Sequence, residues 1–526
     1  MQNQTKKPLN YLNTLGLVSI ALTVFASTAG AVPGQTIVNT VDQGIVQGVE
    51  TEYGQKFLGI PYAAAPVGDL RWKAPQPHAG WDGFLDASEF APHCPQVPSP
   101  FGEPSVDEDC LYLNIYSSLP AVSSGKDPVM VWFHGGAFIY GQSDGYDPAK
   151  LVEQGIVVVT VNYRIGALGF MAHPALTAES GASGNYGLMD QQAALRWVRD
   201  NIKRFKGDPD NVTIFGNSAG GHSVHAHLVS PGSGGLFHRA IVQSGAYLLE
   251  QPAMADWEYL GLSIAAAAGC PTQDTACMRA LSVEDILANQ DPGPSGWLPV
   301  VDGQFLPMTV AAAFYSGMFN RVPVMEGTTH DEYALFTALY FDLAGNFITD
   351  LNSYIQAIVN AFGIPVDLAV YLATVIYPIS AYASAAEAFV AIGTDIVFAC
   401  NALGATSMLS QFVPVYTYEF NDPNAPQIFL PPVSFPYKAY HVSEVQYLFN
   451  IRNSSQLFTP EQADLSDIMV RYWTQFATAG DPNVLGNPAW PGFNPMTFNT
   501  LSLEAPTPQI INDFALDHKC DFWASL

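Results

Sequence analysis

The chain has 526 residues, 48% of them hydrophobic, and a formal charge of −27 from 20 basic and 47 acidic side chains. This apolar content supports a sizeable core and excludes a disordered chain. The shortage of Lys and Arg excludes nucleic acid or an anionic membrane surface as a partner. Only 13% of residues are charged, so the acidity comes from scarce bases rather than acidic tracts, and it serves solubility.

Residues 1–31 read as a signal peptide: Lys6 and Lys7 form a positive start, residues 15–25 an apolar run, and Ala29-Gly30-Ala31 a small-residue cleavage site. The expectation is an exported protein, periplasmic or secreted. Residues 32–526 then form a single α/β unit. Residues 54–77 are rich in turn formers and predict little regular structure. Residues 108–115 predict a strand entered from a loop. Residues 128–133 predict a buried strand, followed at once by His134-Gly135-Gly136-Ala137-Phe138. Successive glycines after a strand let backbone N–H groups point into a cleft, as an oxyanion hole requires.

Residues 157–161 are all apolar or β-branched and predict a second buried strand. Leu188, Leu195, Val198, Ile202 and Phe205 then fall on one face of a helix. Strand, helix and strand with all-apolar central strands is the pattern of a parallel α/β sheet, whose sites lie at the carboxyl ends of strands. The next strand, 212–215, runs into Gly216-Asn217-Ser218-Ala219-Gly220 and then a segment able to form a helix. A nucleophilic serine must stand on a sharp strand-to-helix turn, and glycines two residues to either side leave no Cβ to clash there. Ser218 is the candidate nucleophile. His222, His225 and His227 follow it with a spacing that suits no metal pair, so they read as packing or surface histidines.

Beyond Ser218, residues 322–327 and 413–420 predict strands, and residues 355–379 a pair of buried helices rather than a membrane span, because polar residues and Pro365 interrupt the apolar run. A serine needs a histidine base and a carboxylate to orient it, in the order Ser, acid, His for this fold pattern. His441, in the loop after the strand at 413–420, fits that order better than His330 or His518. Glu326, Asp331 and Glu332 are all open as the acid. The six cysteines of an exported chain suggest three disulfides, among fifteen pairings. Nearness in sequence suggests Cys94 with Cys110 and Cys270 with Cys277, leaving Cys400 with Cys520. Zinc is the alternative, weakened by the lack of a C-x-x-C pair.

Gly59-Ile60-Pro61-Tyr62, the run from Glu108 through Asp109, Cys110, Leu111, Tyr112 and Leu113 to Asn114, Gly216-Asn217-Ser218-Ala219-Gly220-Gly221, and Cys520-Asp521-Phe522-Trp523 together resemble the type B carboxylesterase and cholinesterase family over the whole mature length. The resemblance implies an α/β-hydrolase fold, a central mostly parallel sheet with a helical roof within about residues 245–439. It implies hydrolysis of carboxylic esters through an acyl-serine intermediate, with Ser218 as nucleophile, Glu332 as acid and His441 as base. The N–H groups of Gly136, Ala137 and Ala219 would form the oxyanion hole, without metal or organic cofactor. The resemblance supports the three disulfides and implies ion pairs of Arg71 with Glu108 and Arg164 with Asp395. A small-molecule ester is the expected partner, with no membrane span in the mature chain. A lipase acting on acylglycerols and a non-catalytic adhesion protein of the same fold are the alternatives.

Three positions depart from the family pattern, which has glycine where this chain has Ala137, Tyr333 and Val442. The last two are expected to narrow the pocket. Cholinesterases hold the choline cation with a tryptophan in the first disulfide loop and a glutamate before the nucleophile. Here that loop has Phe101 as its only aromatic residue, and Asn217 precedes Ser218, so a neutral ester is expected.

Overall fold

The computed structural model describes residues 35–526, apart from 41, 120–124, 293–295, 452–453 and 455–456. The leader-like segment 1–31 lies outside the described residues. Gln35–Leu526 form one compact unit, built on a sheet of thirteen strands. These are β1 Gln35–Thr40, β2 Gly44–Glu50, β3 Gly54–Pro61, β4 Phe84–Asp86, β5 Tyr112–Ser118, β6 Asp127–Phe133, β7 Val157–Val161, β8 Gly207–Asn217, β9 Arg239–Gln243, β10 Val324–Thr329, β11 Val415–Phe420, β12 Thr500–Leu503 and β13 Gln509–Ile511. Their order is β1-β2-β3-β5-β7-β6-β8-β9-β10-β11-β12-β13, with β4 beside β2. From β7 to β12 every neighbour is parallel. The outer pairs β1–β2, β2–β3, β3–β5, β5–β7 and β12–β13 are antiparallel.

The central strands are apolar on both faces because both are covered. Along β6 the side chains alternate as a pleated strand requires. Val129, Val131 and Phe133 enter the core on one face, beside Leu188, Leu195 and Val198 of helix α1 (Tyr186–Asn201). Met130 and Trp132 enter the core on the other. A third cluster fills the helical roof, where Tyr354, Ile358, Leu372, Tyr377 and Phe389 are buried together.

Two expectations change here. Residues 54–61 form β3, not a turn-rich stretch. Gly59 has φ +68 and coincides with a register shift against β5 between Phe57 and Ile60, so the irregular glycine belongs to a bulge that leaves the strand intact. The run 355–379 forms helices of which only one face is buried. Helix α2 (Ala219–Val229) follows Ser218, and further along the chain the run supplies most of α3 (Leu351–Phe362) and all of α4 (Val366–Tyr371). Val366, Val370, Tyr371 and Val375 stay exposed. Another stretch, 385–409, is long and apolar enough by composition to cross a membrane. It comprises α5 (Ala385–Gly393), a π-helical segment and α6 (Cys400–Leu409), and much of it is packed inside the protein.

The disulfides Cys94–Cys110, Cys270–Cys277 and Cys400–Cys520 are all formed. Arg71 pairs with Glu108, its Nε donating at 2.7 Å. Arg164 does not pair with Asp395. Its Nε and Nη2 donate to the two oxygens of Asp190 on α1, both at 2.7 Å, and its backbone N–H donates to Asp190 at 3.1 Å. Asp395 faces His518 instead, accepting from its Nδ1 at 2.6 Å, while Nε2 of the same ring donates to Glu419 on β11 at 2.6 Å. Burial alone would lower the pKa of His518, but Asp395 and Glu419 outweigh it and push it up to about 10. The folded-state pKa exceeds the ordinary value of 6.5, so the stabilisation is complete below pH 6.5 and lost as pH rises through about 10. The stability difference between the wild type and His518→Gln, measured by urea unfolding, is expected to shrink steadily over that window.

Candidate active site

Strand β8 delivers Ser218 and helix α2 begins at the next residue. Ser218 has φ +58 and ψ −122, a conformation that L side chains rarely adopt. The turn closes because two neighbours lack side chains. A Cβ on Gly220 would lie 1.9 Å from the carbonyl oxygen of Phe133, and one on Gly216 would lie 2.5 Å from the backbone of Gly220. The Ser218 N–H donates to the Gln243 carbonyl on β9 at 2.8 Å, which pins the turn to the adjacent strand. Ser218 is half-buried and opens into a cleft of about 270 Å³ shared with Gly136, Ala137 and His441.

His441 follows β11 by a long loop, and Glu332 follows the end of β10 by three residues. Nδ1 of His441 meets Oε2 of Glu332 at 2.5 Å, with both side chains buried. The other carboxylate oxygen of Glu332 accepts from the Thr328 hydroxyl at 2.6 Å and the Thr329 N–H at 2.8 Å. Burial works to raise the Glu332 pKa, but the charge and hydrogen bond of His441 and the Thr328 hydroxyl outweigh it, so the carboxyl is held below the ordinary glutamate range. A carboxylate so held fixes the imidazole tautomer with its proton on Nδ1. Nε2 of His441 has no hydrogen-bond partner among the described residues. The rings of Phe336 and Phe398 pack on the imidazole, each with its centroid 5.0 Å away.

The other acid candidates are engaged elsewhere. Asp331 meets His330 at 3.0 Å. Glu326 pairs with His225 of α2 at 2.9 Å, fully buried. His222 and His227 are buried as well, so all three histidines behind Ser218 are packing residues and none is on the surface.

After β6, Gly136 has φ +111 and Ala137 φ +54, and both residues line the cleft together with Ser218. The N–H groups of Gly136, Ala137 and Ala219 donate no hydrogen bond among the described residues. Ala219 is the first residue of α2, where N–H groups lack intrahelical acceptors. Ala137 and Val442 (φ +72) both hold left-handed backbone where the family pattern has glycine, a strain of about 1–2 kcal/mol for an L-residue. Val442 lines the cleft. Tyr333 does not. It has an ordinary φ of −77 and its ring packs in the roof against Phe336, Phe362 and Phe389.

Two residues of the site carry no signal in the motifs. Glu444, buried behind the serine, accepts from Asn217 at 2.7 Å and Gln243 at 3.1 Å. Burial first, and the charge of Glu332 second, push its pKa up to about 7. Asn217 is thereby tied to Glu444. Phe336 and its neighbours Leu335, Leu339 and Tyr340 form the apolar wall of the cleft, in a region whose sequence follows no family motif.

A serine on this strand-to-helix turn, with a Glu-oriented histidine in the same cleft and a parallel sheet beneath, defines an α/β-hydrolase with a serine-hydrolase site. The chain belongs to the Carboxylesterase family, whose model matches residues 34–523. It is a serine hydrolase of carboxylic esters. The chain is similar to the acylcarnitine hydrolase of Mus musculus, at 34% identity over 516 residues, covering 92% of this chain and 90% of that protein. It is similar to the para-nitrobenzyl esterase of Bacillus subtilis strain 168, at 36% identity over 493 residues, covering 89% and 94%. Among solved structures, a PNB esterase superposes with a TM-score of 0.78 at 32% identity, covering 92% of this chain and 99% of that one.

Proposed function

We propose that Ser218, His441 and Glu332 are the catalytic triad of this esterase and that its substrates are uncharged, apolar esters. The observation that carries the reading is the buried 2.5 Å contact of His441 Nδ1 with Glu332, in a ring whose Nε2 is unpartnered and which shares its cleft with Ser218. In acylation, His441 Nε2 takes the Ser218 Oγ proton as Oγ attacks the ester carbonyl. The N–H groups of Gly136, Ala137 and Ala219 stabilise the oxyanion. The tetrahedral intermediate collapses, the C–O bond to the alcohol breaks, and His441 delivers the proton to the leaving oxygen. Water then attacks the acyl-serine by the same route, releasing the acid and restoring the Ser218 hydroxyl.

The apolar cleft wall supports neutral substrates, and so does the position before the nucleophile, where Asn217 is a neutral amide turned to Glu444. A cation held over an indole is worth about 2 kcal/mol, or roughly thirtyfold in binding, and no tryptophan lines this cleft. At ~0.5 M salt, which screens steering by the acidic surface, a choline ester is therefore expected to be cleaved no faster than its uncharged carbon isostere. Comparison of kcat/KM for the pair tests this. A choline preference that survives the salt would overturn the neutral-ester reading, and failure to cleave either ester would overturn the triad assignment. Export is part of the proposal, supported by the leader-like first 31 residues and by disulfides that require an oxidising compartment.

A further inference from the structure

The loop closed by Cys94 and Cys110 ends in a tight turn at Ser99–Gly102, where the Ser99 N–H donates to the Gly102 carbonyl at 3.3 Å and the Phe101 N–H to the Ser99 hydroxyl at 3.1 Å. The stem of the loop is pinned twice. Gln96 and Ser105 exchange backbone hydrogen bonds at 2.9 and 3.0 Å. The Gln96 side chain both accepts from and donates to the Gly141 backbone, each at 2.9 Å. The tip is thus a fixed wall. Ser99, Pro100 and Phe101 line the catalytic cleft. The same three residues also line a second cavity of about 230 Å³, completed by Gln142, Tyr146, Ile428 and Phe429 among others. The Phe101 ring packs on Phe429 with centroids 5.6 Å apart. Ser99 and Pro100 offer little side-chain bulk, so the benzyl group of Phe101 is the removable part of the partition.

We propose that Phe101 is a specificity-determining residue: it separates the catalytic cleft from the second cavity and so sets the longest ester arm that fits. The proposal rests on Ser218 and His441 being the reacting centre. The arm considered is uncharged, as proposed for the substrates, and the second cavity carries the carboxylate of Glu103. A long arm on the wild type meets the Phe101 ring where the two cavities adjoin, whereas removal of the ring would let it extend into the second cavity along Ile428 and Phe429. Each methylene buried rather than hydrated favours the transition state by about fourfold.

The test uses two series, p-nitrophenyl esters from butanoate to dodecanoate and alkyl butanoates from methyl to octyl, with the wild type, Phe101→Ala and the milder Phe101→Leu. The quantity read is the ratio of kcat/KM for the longest member to that for the shortest. Phe101→Ala is expected to raise this ratio about tenfold or more in at least one series, with Phe101→Leu in between. Adding Ile428→Trp, which fills the second cavity, should cancel the gain. If Phe101→Ala does not fold, the ratio for Phe101→Leu decides. A ratio unchanged in both series, or a gain that Ile428→Trp leaves intact, overturns the partition while leaving the esterase reading standing. A wild type that cleaves no member of either series would instead overturn the reading beneath it.

Discussion

Ser218→Ala is expected to abolish ester turnover, with a loss of about a millionfold in kcat, as when a triad serine is removed from a comparable enzyme. The hydroxyl is the bond-forming atom, and a methyl group offers nothing in its place. His441→Ala should be nearly as severe, because an unassisted hydroxyl is a poor nucleophile. The two losses should not add, since both remove one unit. Glu332→Gln should cost less, though still orders of magnitude, because an amide at Oε2 no longer holds the proton of His441 on Nδ1. Asp331→Asn should matter far less, since its carboxylate faces His330 and is not part of the contact to His441. Steady-state kinetics on purified variants, with circular dichroism to confirm folding, gives the ranking. A folded Ser218→Ala retaining more than roughly a tenth of wild-type activity would remove Ser218 from its role.

The largest expected effect on stability comes from the buried ion pair of Arg164 with Asp190 on α1. Asp190→Ala should destabilise the protein by about 3–5 kcal/mol, because it leaves the Arg164 guanidinium buried without its counter-charge. Both side chains are almost wholly inaccessible, at 3% and 0% exposure, so solvent cannot replace the lost partner. Arg164 would keep only its hydrogen bond to the Lys73 carbonyl and the face of Tyr186. Equilibrium urea unfolding measures the loss. Asp395→Ala should leave Arg164 fully paired and instead weaken the alkaline dependence that His518 confers, with Glu419 still holding its Nε2. The opposite pattern, with Arg164→Met as damaging in the Asp190→Ala background as alone, would show that the pair is not coupled.

The central sheet was legible because its strands are apolar on both faces. Residues 157–161 are a strand over the same five residues that their β-branched run predicts, and 128–133 fall short of β6 by only its first residue. The Ser-Glu-His arrangement was legible through motif, chain order and the family resemblance; Glu326, Asp331 and Glu332 competed by position alone, and they differ in their partners, since Glu326 meets His225, Asp331 meets His330 and Glu332 meets His441. The strand at 54–61 was hidden because its Gly59 and Pro61 read locally as turn formers, while pairing with β5 overrides that preference. Asp190 could have been found. It lies on a helix whose buried face is otherwise largely apolar or amide-bearing, and an acid there must meet a base. Asp395 was taken as the partner of Arg164 through the family resemblance, which gave no warning that His518 would occupy it. The roles of Glu444 and the cleft wall depend on which loops the fold brings together, and no local pattern encodes that.

Segment 517–520 fastens three separate parts of the fold. The turn bearing Glu332 starts at His330, whose Nε2 reaches Asp517 at 3.2 Å. Three positions later, Cys520 is bonded to Cys400, and His518 between them bridges Asp395 to β11. The turn that carries Glu332 and segment 517–520 are braced together, so loosening one is expected to loosen the other.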